Sequence, residues 1–189
     1  MARRAYSISS SPLDLERNYL ELTITRVGEG GYFSNRIHSS KEGDLVQIEG
    51  PYGNAFTLKE ENPSPHLFIG AGSGIAPLRA MIRTLLGEVS PPKINVIYGF
   101  RKTEDFIFEQ EFLTYKESNA GFSMTVIHSR PEPGWNGLSG RVPDVLPTLL
   151  PRYKGEVTYI CGHPEMVSGT VSYLKSAGYP EESVHKEQW

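Results

Sequence analysis

Residues 66–82 constrain this chain more than any other stretch, because they read as a buried strand, a glycine turn and a helix start in unbroken succession. Leu67, Phe68 and Ile69 form a short apolar run after the breakers Pro63 and Pro65, the pattern of a first strand in a parallel sheet covered on both faces. Gly70, Gly72 and Gly74, with Ser73 between them, remove side chains where a backbone must turn tightly or admit a ligand. Pro77 falls where the first turn of a helix lacks amide partners in any case. Such a turn gathers free N–H groups and the positive end of a helix at one point, which favours a phosphate. On these residues alone, a phosphate cradle and a ligand-free strand-to-helix turn are both open. No Gly-Lys-Ser/Thr follows, so the turn is not a Walker loop, and Ala71-Gly72 before Ser73 excludes the G-x-S-x-G elbow of hydrolases.

The chain changes period on either side of a polar, proline-bearing linker at 60–65, and this predicts two domains, 1–62 and 63–189. Before the linker, residues 20–25 and 45–49 alternate apolar and polar, as half-buried antiparallel strands do, and Gly28 to Gly31 and Gly50 to Gly53 break them. After it, strands at 67–69, 94–98, 124–127 and 157–160 alternate with helices at about 76–86, 105–115, 143–150 and 164–177, the last closed by Gly178. Leu78, Ile82 and Leu85 share one face of the first of these helices. The second domain therefore reads as an α/β doubly wound parallel sheet, expected to be five-stranded with these four among its strands.

In such sheets a ligand binds at the carboxyl ends of the strands. There the chain offers Gly99-Phe100-Arg101, His128-Ser129-Arg130 and Cys161-Gly162-His163-Pro164-Glu165. Two of these ends carry an arginine and none places an acid to hold a ribose diol, which tilts a dinucleotide reading from NAD towards a 2′-phosphate. Each arginine alone reads equally well as solvated surface. Neither His128 nor His163 has a second ligand at metal spacing, so no metal site is expected and both read as solvent-facing. A lone buried thiol such as Cys161 is ordinarily a small hydrophobe.

Composition narrows the classes. A net charge of −3, with Lys and Arg scattered, gives no footprint for nucleic acid or an anionic membrane. A single cysteine excludes an internal disulfide, a cysteine-ligated iron–sulfur cluster and a zinc ribbon within the chain. With no signal peptide and no long apolar run, a cytoplasmic location is expected.

Taken together, the chain resembles the ferredoxin–NADP reductase family of flavoprotein reductases over nearly its whole length. Arg4-Ala5-Tyr6-Ser7 is similar to the family's R-x-Y-S/T flavin motif, Gly31-Tyr32-Phe33-Ser34-Asn35 to its G-x-x-S segment, and Gly50-Pro51-Tyr52-Gly53 to the G-P-x-G end of the flavin barrel. Gly70 to Pro77 resembles its G-x-G-x-x-P pyridine-nucleotide turn, Cys161-Gly162 its C-G pair, and Trp189 the aromatic residue that ends many members. The resemblance implies a partial antiparallel, flavin-binding β-barrel ahead of the NAD(P)-binding domain. It implies that Arg4 pairs with the flavin phosphates, Tyr6 lies flat on the isoalloxazine, Ser7 sits near N5, and Ser34, at a loop, helps hold the pyrophosphate. Cys161 would lie close to nicotinamide C4, aligning donor and acceptor and not acting as a nucleophile.

The implied activity is hydride transfer from NADPH to FAD, with single electrons leaving to a ferredoxin, a flavodoxin or an iron–sulfur protein partner. FAD is favoured over FMN because Trp189 resembles the terminal aromatic of FAD-binding members. Arg101, Ser129, Arg130 and Arg141 resemble the 2′-phosphate site of NADP-using bacterial members, whereas Arg130-Pro131-Glu132-Pro133-Gly134-Trp135 resembles the R-P-x-P-x-W run of NADH-using relatives. An NADH-using component of an oxygenase or hydrogenase complex and a non-catalytic subunit that keeps the nucleotide fold are the alternatives. A methyltransferase shares a similar glycine turn but leaves residues 4–7 and Trp189 without a role. Members ordinarily carry three barrel strands ahead of R-x-Y-S, whereas here Arg4 stands almost first, so an open barrel and weak flavin retention are expected.

Overall fold

The computed structural model of the chain describes residues 3–15, 18–58, 65–153 and 156–188. The expected domain boundary at 62/63, Pro63 and Trp189 lie outside these residues. Chain order begins with a short helix α1 (Pro12–Leu15) and a second, α2 (Tyr32–His38). Strand β1 (His66–Ala71), helix α3 (Ile75–Leu86), strand β2 (Ile94–Phe100), helix α4 (Glu109–Ser118) and strand β3 (Phe122–His128) follow. Next come β4 (Leu138–Ser139), α5 (Val142–Leu149), β5 (Val157–Gly162), α6 (Pro164–Ser176) and β6 (Val184–Gln188).

The strands form one parallel sheet in the order β4-β3-β2-β1-β5-β6. Besides five strands of ordinary length it carries the two-residue β4 at one edge. Alternation along each strand divides the core between two faces. Leu67, Ile69, Ile97, Ile127 and Ile160 pack under α5 and α6, while Phe68, Val96, Tyr98, Phe122 and Tyr159 pack under α3 and α4. Both faces are covered, as the continuous apolar runs require. Leu78, Ile82 and Leu85 of α3 are all buried, as their shared face predicts.

The front of the chain departs from the expected antiparallel ladder. Residues 20–25 and 45–49 form no paired strand; one antiparallel bridge joins Ile8 to Leu22. Alternation supplies a face to bury, and a ladder also needs neighbouring strands to take up its N–H and C=O groups. Ser9, Ser10 and Ser11 are nevertheless buried, because this segment lies against α3, where the Ser11 and Thr84 hydroxyls meet at 2.9 Å. Among the described residues no helix is long and apolar enough to cross a membrane.

Candidate functional site

Strand order reverses at β1: the chain runs outward through β2, β3 and β4, then returns to β5 and β6 on the other side. A crevice opens where two such neighbours lead their crossovers apart. At that point Gly70 of β1 stands level with Cys161 of β5. Beyond Gly70 the backbone passes through Ala71 into a single 3-10 turn, Gly72–Gly74, and then into α3. Gly72 has φ +53°, a left-handed conformation, and a Cβ there would meet nothing within 4 Å, so its outer side is open to a ligand. Gly70 is bare for packing: a Cβ would come within 3.1 Å of Leu78. Pro77 lies in the first turn of α3, and Ser73 is partly exposed beside it. Gly162 ends β5.

Cys161 is 1% exposed, and burial, with the Glu187 carboxylate second, pushes its thiol up to about 12. It stays a thiol, and a thiol is a poor nucleophile. Glu187 of β6 is level with Cys161, and burial raises its carboxyl above the usual range. Sequence reasoning missed Glu187; the one available signal was its place two residues before Trp189.

Both residues line an open groove of about 2350 Å³ between the two halves of the chain. Its opposite wall carries Arg4, Ala5, Tyr6, Ser7 and Phe33. The Arg4 guanidinium is exposed and bonds to the Arg3 carbonyl at 3.0 Å; no carboxylate among the described residues claims it, so its paired donors suit a phosphate. Tyr6 is half-buried and stacks on Phe33 with centroids 5.8 Å apart. An aromatic wall, a guanidinium with no carboxylate partner among the described residues and a facing edge formed by Pro77 of α3 and by Cys161 fit a flavin, with the glycine turn just ahead of Pro77 for a dinucleotide.

Residues 32–35 are placed differently from expectation. Ser34 is buried inside α2, not at a loop. Its hydroxyl donates to the Gly31 carbonyl at 3.1 Å and accepts from the Val27 amide at 3.2 Å, so it is spent on the turn that starts the helix. The Asn35 side chain is likewise engaged, by Arg26 and the Gly28 carbonyl, each at 3.1 Å, and Tyr32 points to solvent. At the start of α2 the Tyr32 and Asn35 amides already donate to the Gly30 and Gly31 carbonyls, at 3.0 and 2.8 Å, so what the segment keeps for a ligand is the backbone between them, at Phe33 and Ser34.

At the carboxyl ends of β2 and β3, Arg101 and Arg130 are exposed and carry no ion-pair partner among the described residues. Ser129 is partly engaged, its hydroxyl donating to the Phe100 carbonyl at 3.1 Å. Arg141 precedes α5 and lies 3.7 Å from Glu165 in the first turn of α6, so an acid is present at this edge after all. His163 is exposed and caps α6, accepting from the Glu165 amide at 3.4 Å. His128 is not solvent-facing. It is fully buried between Phe100 and Trp135, at 4.8 and 5.1 Å, and neither ring nitrogen has a hydrogen-bond partner among the described residues. As the last residue of β3 it points to the α3/α4 face, which periodicity would place inside. Among the described residues no cluster could hold a metal ion.

Residues 1–56 match the family model described as an oxidoreductase FAD-binding domain, and residues 68–172 match that of an oxidoreductase NAD-binding domain. The chain is 32% identical to ferredoxin–NADP reductase B of Sorangium cellulosum, over 99% of this chain and 78% of that protein. It is 31% identical to one component protein of the Na(+)-translocating NADH-quinone reductase of Pasteurella multocida, over 96% of this chain and 47% of that component. A solved cytochrome P450 reductase of Amycolatopsis superposes with a TM-score of 0.80 at 26% identity, over 99% of this chain and 56% of that one. The chain thus spans about half the length of the last two relatives.

Proposed function

Because the chain belongs to the ferredoxin–NADP reductase family of flavoprotein reductases, we propose that it oxidises NADPH with bound FAD and delivers single electrons to a ferredoxin, a flavodoxin or an iron–sulfur protein partner. The observation that carries this reading is the groove whose one wall holds Arg4, Tyr6 and Ser7 and whose other wall holds Cys161 at the sheet's switch point. FAD, when bound, takes two electrons from a reduced nicotinamide and releases them one at a time. The protein's share is to bind, orient and exclude water. Arg4 and the backbone opening α2 would hold the flavin phosphates, and the Tyr6 ring would lie against the isoalloxazine with Ser7 at its edge. Gly72 and the start of α3 would take the dinucleotide pyrophosphate. Cys161 would lie beside the nicotinamide without charge, and Glu187 would keep a protonatable oxygen near it. Trp189 would cover the flavin from the end of the chain.

The test is to add FAD to the purified chain, mix anaerobically with NADPH or NADH and follow the visible flavin band. Bleaching is expected, and its absence with both nucleotides would end the reductase reading.

For the nucleotide, Arg101 and Arg130 favour a 2′-phosphate, with Ser129 and Arg141 completing the set. A second reading, NADH use, draws on the Arg141–Glu165 pair, which places an acid against one of the four, and on the kinship with components of NADH-quinone reductases. Arg130→Ala is expected to raise KM for NADPH by about tenfold or more and leave KM for NADH within about twofold, the loss of one charged phosphate contact. Equal losses would favour NADH.

A further inference from the structure

Arg79 of α3 is 7% exposed, and its guanidinium joins four groups from separate parts of the chain. Nε donates to Glu111 Oε2 at 2.7 Å, and Nη1 donates to Glu21 Oε1 at 2.8 Å and to the Ser9 carbonyl at 3.0 Å. The ring of Phe108 lies 4.2 Å from the guanidinium carbon. Two of these partners, Ser9 and Glu21, belong to the half that carries the flavin motif. The other two belong to the nucleotide half, at the start of α4. Arg83, one helical turn on, repeats the link, reaching Asp14 at 2.9 Å and Glu111 at 3.7 Å. Phe108 itself has φ +61°, strained for an aromatic residue, and the Arg79 fork on its face helps hold it there.

A guanidinium presents its donors in a rigid plane, so it fixes angle as well as distance, which a lysine cannot. The connection is also short. Ser9 stands two residues after Ser7, and Arg79 stands just over one turn into the helix that opens at Gly74. We propose that Arg79 is a positioning residue whose fork sets the separation and tilt of the wall bearing Tyr6 and Ser7 against the wall bearing Pro77 and Cys161. The kinetic consequence of this rests on the flavin and nucleotide assignment above; the geometric consequence does not. Hydride transfer needs the donor and acceptor atoms nearly in contact, and a misplacement of about 1 Å costs roughly 10²-fold in rate.

Arg79→Lys keeps the charge and removes the fork. Glu21→Gln removes the Arg79–Glu21 charge pair, leaves Arg79 with Glu111 and the Ser9 carbonyl and Arg83 with Asp14, and spares the fold of the nucleotide half. Each is made in a chain spin-labelled at Glu29→Cys, in the turn before the helix whose Phe33 stacks on Tyr6, and at Lys175→Cys, both exposed sites, with the buried Cys161 left in place. Pulsed dipolar spectroscopy should show a distance distribution at least about twice as broad in both variants, since the two labels lie in different halves. At saturating NADPH and FAD the bleaching rate should fall by about 10- to 100-fold, while the dissociation constant of each ligand measured alone stays within about threefold. A residue that merely stabilised the fold would lower the melting temperature and leave the saturating rate unchanged. Distributions and rates equal to the parent's, or a broadened distribution with an undiminished rate, would overturn the proposal. If the parent does not bleach, the reductase reading fails, and the distance distribution alone then decides the role of Arg79.

Discussion

At the sulfur of Cys161, burial decides the chemistry. A thiol pushed up to about 12 is almost wholly protonated at neutral pH, and the neighbouring Glu187 charge opposes its ionisation further. Iodoacetamide should therefore alkylate Cys161 at least ~10²-fold more slowly in the native chain than in urea, read by mass spectrometry at about pH 8. Comparable rates would place the sulfur in solvent. Glu156 is a second buried ionisable group, at the opposite end of the strands. Both its oxygens accept from Asn95 Nδ2, at 2.9 and 3.0 Å, and Asn95 Oδ1 accepts from the Ser123 hydroxyl at 2.5 Å. Burial pushes this carboxyl up, and the Asn95 bonds and Lys93 only partly pull it back. Its proton is thus held more tightly in the folded chain than in the unfolded one. The stabilisation that follows is fully present below the ordinary carboxylate range and is lost as pH rises through the raised folded value. Glu156→Gln should flatten that fall in urea-unfolding free energy, and Glu156→Ala should cost about 1–3 kcal/mol by orphaning Asn95 Nδ2. An unchanged pH slope in Glu156→Gln would assign the dependence to other groups.

The glycine turn is the element whose failure should be most selective. Any L-residue at Gly72 must adopt its left-handed backbone, at a cost of roughly 1–2 kcal/mol, and would project a methyl into the open side proposed for the pyrophosphate. Gly72→Ala should raise KM for NADPH about tenfold or more while FAD affinity stays within about twofold. Losses of the same size for both would mean that the turn serves the fold and not the nucleotide. This element was legible in the sequence because every signal in it is local: an apolar run, breakers before it, bare positions, a proline in the first helical turn. The same holds for β2, β3, β5 and the four longer helices. Strand β6 was not legible, since Val184–Gln188 is mostly polar and takes its identity from docking beside β5. Helix α2 hid behind its glycines, and with it the burial of Ser34. Arg4, Tyr6 and Ser7 could be named from a motif, but Arg79 and Glu187 acquire meaning only from partners far away in the chain, Ser9 and Glu21 for one and Cys161 for the other.

At the scale of the whole molecule, the two halves are built to different standards. The sheet and its helices bury nearly every large apolar side chain they carry, with Val89, Leu113 and Leu138 the exposed exceptions among the described residues. The flavin half exposes Val27, Leu45, Val46, Ile48 and Tyr52, and its backbone contributes one bridge where a ladder would hold it. It is tied to the nucleotide half by Arg79, Arg83 and the Ser11–Thr84 contact, and by the Tyr159 hydroxyl on the Thr57 carbonyl at 3.2 Å. These ties fix the wall that carries residues 4–11 better than they fix residues 41–52. A flavin held in a groove of about 2350 Å³, well beyond the ~300–1,000 Å³ of an ordinary ligand pocket, must itself order part of that wall, and the ordering is subtracted from its affinity. Free FAD should therefore bind this chain roughly tenfold or more weakly than a preformed pocket of ordinary size would hold it, a difference of about 1.4 kcal/mol or more. Gel filtration should strip it to well below one flavin per chain, while hydrogen exchange over 41–52 slows when FAD is added back. A stoichiometric yellow monomer that keeps its flavin through the column would show that the groove closes on its own.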